Sequence, residues 1–168
     1  TEQRLTIILP LKGRAPFTLR FLWHANKVRL PYRFLIADGE VNPVLAELLE
    51  SSHVLFPNID VQYVRYPDDR DFSRYFAKMF DALGRVTTPY AMLADNDDFL
   101  GFTGIERSID FLEMNQDYVC CGGGISGFSV YSPTNNPFGG LVGSLNKITY
   151  RYMPYDRSID LGCPLVTD

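Results

Sequence analysis

Long apolar runs are absent from this sequence. No stretch reaches about 18 apolar residues, the length that a membrane-spanning helix needs. Basic residues are also limited, with 16 Lys and Arg against 20 Asp and Glu and a net charge of −4. Because binding to a phosphate backbone needs a basic surface, the sequence predicts neither a transmembrane segment nor a nucleic acid partner.

Cysteine is scarce as well, with residues only at positions 120, 121 and 163. The neighbours Cys120 and Cys121 cannot easily pair with each other, and the odd number leaves one thiol over. No spacing of Cys and His is typical of a zinc site. We therefore expect reduced thiols and a cytoplasmic protein.

Several common catalytic motifs are missing, including a Walker A loop and a Gly-x-Ser-x-Gly nucleophile motif. Residues 122–127 match the glycine spacing of a dinucleotide-binding loop, but a strand-like segment follows where that loop requires a helix. An EF-hand starting at Asp95 also fails, because Phe99 and Leu100 occupy a ligand position and the glycine position. The sequence therefore argues against all four of these classes of site.

Strand-like and helix-like segments alternate along the chain. Runs typical of strands occur at 5–9, 34–37, 61–66 and 90–94, and Pro10 is expected to close the first. The third helix is predicted to begin after a capping Asp71. Its expected apolar face consists of Phe72, Phe76, Met79, Phe80 and Leu83. Four alternations predict an α/β fold, with a mostly parallel central sheet flanked by helices, in a single domain over 1–168.

The fourth strand, predicted to be buried, ends in a cluster of carboxylates. Asp95, Asp97 and Asp98 fall within four positions. Crowded carboxylates repel one another and lose solvation, so a fold tolerates them mainly when a cation lies between them. We predict that they bind a hard divalent cation, with an acidic turn that caps the next helix as the alternative.

Polar residues also follow the first two strands. Lys12 and Arg14 come after the first strand, and Asp38 comes after the second. If the sheet is doubly wound, these strand ends meet at one crevice together with the acidic cluster. Carboxylates, a cation and basic side chains suit a ligand that carries a diphosphate. For Asp38 a simple turn before Gly39 is the alternative.

These segments resemble the nucleotide-sugar-binding half of GT-A fold glycosyltransferases, especially family 2. Shared features are a strand ending in Pro with a polar loop (7–14), a second strand ending in Asp38-Gly39, a helix with Lys78 in place of the family's Arg (76–79), and a DxD motif at 95–97. The resemblance covers about residues 4–115. It implies that 1–115 forms the nucleotide-sugar-binding half and that 116–168 begins the acceptor-side region.

The resemblance also implies roles for individual residues. Pro10, Lys12 and Arg14 would border the nucleotide, and Asp38 would hydrogen-bond the base. Lys78 would lie near the diphosphate, although a solvated helix charge is the alternative. Asp95 would contact the ribose or the metal, and Asp97 would ligate Mg²⁺ or Mn²⁺, with Asp98 as a further metal ligand.

The implied function is a metal-dependent glycosyltransferase. It would move a sugar from a nucleoside diphosphate sugar to a hydroxyl of a glycan, lipid or protein, with inversion. The general base would be an Asp downstream of the DxD motif. The candidates are Asp156, Asp160 and Asp168, of which we select Asp168, with a solvated terminal carboxylate as its alternative.

Two other functions stay open at this stage. A non-catalytic nucleotide-sugar-binding module would keep the metal site and lack a base. A nucleotidyltransferase would need a Gly-rich basic loop after the first strand, of which residues 12–15 are a poor version. Because the catalytic region of the resembled family usually extends further, we expect the sequence to be either a fragment or a shortened member of it.

Overall fold

The structure, a computed structural model, describes residues 3–40, 43–131 and 147–153, and for 125–131 and 147–153 it describes the backbone. The chain divides into two units, Thr1–Leu100 and Gly101–Asp168. The elements of the first unit are β1 (Leu5–Leu11), α1 (Ala15–Val28), β2 (Arg33–Asp38), α2 (Pro43–Glu50), α3 (Ser52–Leu55), β3 (Asp60–Arg65), α4 (Phe72–Gly84) and β4 (Tyr90–Leu93). Those of the second unit are α5 (Phe102–Met114), β5 (Ile125–Tyr131) and β6 (Lys147–Met153).

The first unit is built on a four-stranded sheet in the order β3-β2-β1-β4. All three strand pairs are parallel, as expected when a helix connects each strand to the next. The prediction of an α/β fold with a parallel sheet flanked by helices is therefore confirmed for the described residues. The strand order reverses between β1 and β4, and ligands of such sheets bind outside the carboxyl ends of the strands at this point.

Strands β1 and β2 form the core of the first unit. The side chains of Ile8, Phe34 and Leu35 are completely buried. Phe21 of α1 packs edge-on against Phe34, with ring centroids 6.0 Å apart. Met79 of α4 belongs instead to the cluster that contains Ile8 and Leu35. Because successive strand residues point to opposite faces, α1 and α4 cover opposite faces of the sheet.

Pro10 lies inside β1 and does not close it, contrary to expectation. The backbone N–H and C=O groups of the even-numbered residues of β1 point towards β4, since the Ile8 carbonyl accepts a hydrogen bond from the Ala94 amide. Pairing with β4 stops at Leu93, opposite Ile8. At position 10 no strand partner therefore needs the N–H that proline lacks.

Helix α4 presents a different face to the sheet from the one predicted. Asp71 caps the helix as expected, accepting a hydrogen bond from the Arg74 amide at 2.9 Å. Of the predicted apolar face, however, only Met79 is buried, while Phe72 and Phe80 are each 83% exposed. The buried residues are Lys78, Met79 and Ala82. The helix is apolar on two sides, and the buried polar contacts of Lys78 select the side that packs.

Strand β4 is also less buried than predicted. It is the last strand of the described sheet on its side, and its residues alternate between partly buried and exposed. Leu93, for instance, is 59% exposed. The acidic cluster therefore follows a half-exposed strand.

In the second unit, β5 and β6 form an antiparallel pair. Strand β5 begins inside the glycine-rich segment 122–127, so no helix follows that segment and the exclusion of a dinucleotide-binding loop is confirmed. Among the described residues, no helix has both the length and the apolar character needed to cross a membrane.

Gly39 permits the close approach of two loops. A Cβ atom at this position would overlap the Asp69 carboxylate. We expect Gly39→Ala to lower the free energy of unfolding by about 1–3 kcal/mol, because overpacking a tight site costs this much. Urea denaturation measures the change. Gly84→Ala is the control, since a Cβ there meets no atom within 4 Å; equal stability of the two variants would contradict the expectation.

Candidate functional site

Polar residues gather at the carboxyl end of the sheet in two groups, one on each side of β1. On the α4 side, Lys12 and Lys78 meet Asp69. On the α1 side, Arg14 meets Asp97. The structure thus brings together several of the predicted residues, but in two clusters.

A pocket of about 330 Å³ opens beside the carboxyl end of β1. Its lining includes Pro10, Lys12, Arg70, Phe72, Tyr75 and Lys78. The resemblance to GT-A glycosyltransferases implies that three of these residues, Pro10, Lys12 and Lys78, border a nucleotide. Aromatic walls beside basic groups form a suitable chemical setting for a flat base attached to phosphates.

Lys78 is held by a buried ion pair. Its Nζ lies 2.6 Å from Asp69 Oδ2, and the two side chains are 2% and 5% exposed. The same ammonium donates to the Leu11 carbonyl at 3.1 Å, and Lys12 donates to the Asp69 carbonyl. The alternative of a solvated helix charge is therefore wrong for Lys78. Its contact with a diphosphate stays a prediction, since its ammonium already has two acceptors within the chain.

Asp38 is fully buried at the end of β2. Its Oδ1 accepts from the Glu40 amide and its Oδ2 from the Tyr63 hydroxyl, each at 2.8 Å. The first contact matches the turn role that the sequence offered as an alternative. Burial of the phenol, together with its hydrogen bond to Asp38, raises the pKa of Tyr63. Hydrogen bonding of Asp38 to a base stays a prediction.

The acidic loop (residues 95–98) follows β4 directly. Asp95 and Asp98 are exposed, whereas Asp97 Oδ2 lies 2.6 Å from Arg14 Nη2. Partial burial raises the pKa of the Asp98 carboxyl, and the negative charges of Asp95 and Asp97 raise it further. Asp95 and Asp97 thus lie close enough to act on the Asp98 carboxyl.

Arg14 adopts a left-handed conformation, with φ 61° and ψ 35°, immediately before α1. Such a conformation is uncommon for a residue with a side chain and marks a position that its surroundings enforce. The Arg14 carbonyl accepts from the amides of Phe17 and Thr18, at 2.9 and 3.3 Å, and so begins the helix. Its guanidinium meanwhile reaches across to the acidic loop.

The acidic loop has the right chemistry for Mg²⁺ or Mn²⁺, which prefer carboxylate oxygens. Within the described part of the chain, no three Asp, Glu, His or Cys side chains are grouped as a complete set of metal ligands. Mg²⁺, however, is commonly held by one or two carboxylates together with substrate phosphates. Asp95 and Asp97 fit that mode, provided that the ion shares or replaces the Arg14 contact of Asp97.

Sequence reasoning missed two residues that organise the site. Asp69, the partner of Lys78, is 6% exposed, and so is Asn96, which donates to Thr18 Oγ1 at 3.0 Å. Asp69 stands in the acidic run 68–71, which gave the only available signal. For Asn96 the sequence offered no signal, because the DxD motif singles out only its two acidic neighbours.

The candidate general bases Asp156, Asp160 and Asp168 lie outside the described residues. The selection of Asp168 therefore stays a prediction. Comparison with models of known protein families and with curated proteins found no match to this chain. The functional argument consequently rests on the geometry of the first unit.

The Tyr63–Asp38 hydrogen bond is expected to stabilise the fold. Tyr63→Phe leaves Asp38 Oδ2 buried without a donor, which costs about 1–3 kcal/mol of the free energy of unfolding. Chemical denaturation measures this loss. Tyr66→Phe is the matched control, because the Tyr66 hydroxyl donates to the exposed Asp81, which Arg85 also contacts. If the two variants lose equal stability, the burial of Asp38 does not explain the stabilising effect of the Tyr63–Asp38 hydrogen bond.

Lys78→Met is expected to lower the free energy of unfolding by about 3–5 kcal/mol, because it leaves the charge of Asp69 buried and unpaired. The control on the same helix is Arg74→Met, which removes an exposed ion pair of 3.8 Å with Asp68. Such surface pairs contribute at most about 1 kcal/mol. Thermal and urea unfolding should separate the two variants clearly; similar transitions would refute the assignment of a dominant role to the buried pair.

Proposed function

We propose that the first unit binds a nucleoside diphosphate sugar in the manner of GT-A fold, family 2 glycosyltransferases, and that the protein transfers the sugar to an acceptor hydroxyl. The observation that carries this proposal is the pocket of about 330 Å³ at the carboxyl end of β1. Pro10, Lys12 and Lys78 line it, and the acidic loop lies after β4, the other neighbour of β1.

The pocket supplies the contacts that the nucleotide needs. Phe72 and Tyr75 offer apolar ring surface for a base, and Tyr75 itself is fixed by the Lys78 ammonium 5.1 Å above its ring. Lys12 and Arg70 add positive charge at the same pocket. A diphosphate that extends from this pocket towards β4 would next meet Arg14, which already carries a carboxylate partner.

The acidic loop supplies the opposite charge. Asp95 and Asp97 would hold Mn²⁺ or Mg²⁺, with Asp98 as a further ligand. When bound, the cation offsets the negative charge of the departing diphosphate. Arg14 would then be available to the phosphates once its pairing with Asp97 is shared, because a guanidinium binds phosphate as well as carboxylate.

The remaining parts of the proposal concern the reaction itself. The acceptor is a hydroxyl of a glycan, lipid or protein, activated by a general base for which Asp168 is our candidate. Transfer with inversion and a cytoplasmic location belong to the same proposal.

Metal-dependent nucleotide binding is the first test. We expect UDP or GDP to bind in the presence of Mn²⁺ or Mg²⁺ and not in the presence of a chelator, as measured by isothermal titration calorimetry. Asp97→Ala should abolish the metal dependence, because it removes a ligand. The substitution also releases the Arg14 guanidinium, which can then bind the phosphates directly. Any nucleotide binding that remains should therefore be the same with and without metal.

The control for this test is Glu47→Ala, which changes the net charge equally. Glu47 is exposed on α2, which contacts β3 at the opposite edge of the sheet from β4. It should bind nucleotide as the wild type does. Equal binding of UDP or GDP with metal and with chelator would overturn the proposed metal site. Release of sugar from UDP-sugars or GDP-sugars, with and without acceptor, then distinguishes an enzyme from a binding module.

A further inference from the structure

Asn96, the middle residue of the DxD motif, faces inwards, whereas its two acidic neighbours reach solvent. It is 6% exposed and donates to the Thr18 hydroxyl at 3.0 Å, while Thr18 is completely buried on α1. The Asn96 amide also approaches the Arg14 carbonyl at 3.5 Å. This side chain therefore joins the acidic loop to the first turns of α1.

The inward position of Asn96 decides where the carboxylates point. Residues 95–98 form a turn in which the Asp98 amide donates to the Asp95 carbonyl at 3.4 Å. Holding Asn96 against α1 therefore also fixes the direction in which this turn faces. Asp95 is accordingly exposed, and Asp97 is only partly covered, by Arg14. Without an anchor at position 96, repulsion among the three carboxylates would favour their separation.

A second group of contacts holds the far end of the same loop on α1. The ring of Phe99 lies edge-on to His24, with centroids 5.3 Å apart, and the Arg20 guanidinium lies 5.5 Å from the Phe99 ring centroid. These contacts fix the chain just beyond Asp98. Helix α1 thus holds the loop at Asn96 and again at Phe99, and Asn96 supplies the buried polar contact.

We propose that Asn96, through Thr18, is the positioning residue that holds Asp95 and Asp97 in place to bind a divalent cation. This inference rests on the proposed function, because it assigns Asn96 a role in that same cation site. Asn96 acts through its neighbours and does not itself touch the cation or the nucleotide. It resembles the hydrogen-bonding partners that orient metal ligands in other proteins, whose loss typically weakens metal binding about 10–100-fold.

The test is a titration of Mn²⁺ in the presence of saturating UDP and, separately, saturating GDP, followed by the electron paramagnetic resonance signal of unbound Mn²⁺. Thr18→Val keeps the shape of the side chain and removes the acceptor of the Asn96 amide. We expect it to weaken Mn²⁺ binding about 10–100-fold. Asn96→Ala should weaken binding similarly. The Asn96→Ala substitution changes only the acidic loop, so its Mn²⁺ affinity tests the role of Asn96 if Thr18→Val fails to fold.

Two further variants separate positioning from a general loss of stability. Thr18→Ser keeps the hydroxyl and should restore Mn²⁺ affinity to near the wild-type value. Leu49→Val removes a buried carbon atom from α2 and should leave Mn²⁺ affinity unchanged. Circular dichroism establishes that each variant is folded.

The outcomes distinguish this inference from the proposed function. If the wild type binds Mn²⁺ with UDP or GDP and both Thr18→Val and Asn96→Ala bind it equally well, the role of Asn96 is overturned and the proposed function stands. If Leu49→Val weakens binding as much as they do, the role of Asn96 is again overturned. If the wild type binds no Mn²⁺ in the presence of either UDP or GDP, both proposals fail.

Discussion

The buried ion pair between Lys78 and Asp69 holds the carboxyl end of the sheet in the first unit together. It links α4 to the loop after β3 and, through the Leu11 carbonyl, to the end of β1. A buried charge pair persists only where further hydrogen bonds complete it, and here the backbone supplies them. Gly39 leaves the space that Asp69 needs. The pocket beside β1 exists because these segments are tied at one point.

Charged side chains are arranged differently on the two sides of β1. On the α4 side, opposite charges are buried together and leave an open pocket with aromatic and basic walls. On the α1 side, like charges are kept near solvent, and the loop that bears them is held by the uncharged Asn96 and the ring of Phe99. Burying the neutral amide avoids the cost of burying another carboxylate. The arrangement leaves negative charge available for a ligand.

Local patterns predicted the fold class but not the contacts that shape the site. Alternating apolar segments are visible in the sequence, and they produced the parallel sheet. The rotation of α4 was mispredicted because its aromatic residues suggested a single apolar face, while the burial of Lys78 depends on Asp69, whose position comes from another loop. Asn96 was missed for the same reason, since its partner Thr18 lies far away in the chain. Asp95 and Asp97 were predicted because they are only two positions apart in the sequence, so their proximity can be read without the fold.

The strand order has a consequence for the order in which the protein folds. Strand β1 pairs with β2 through residues as near in sequence as Thr6 and Arg33, whereas its pairing with β4 joins Leu5 to Tyr90. Closing the longer loop loses more chain entropy, so contacts of this kind form late. The first three strands can therefore assemble before β4 arrives. The acidic loop, which follows β4, is then among the last parts of the sheet edge to be organised.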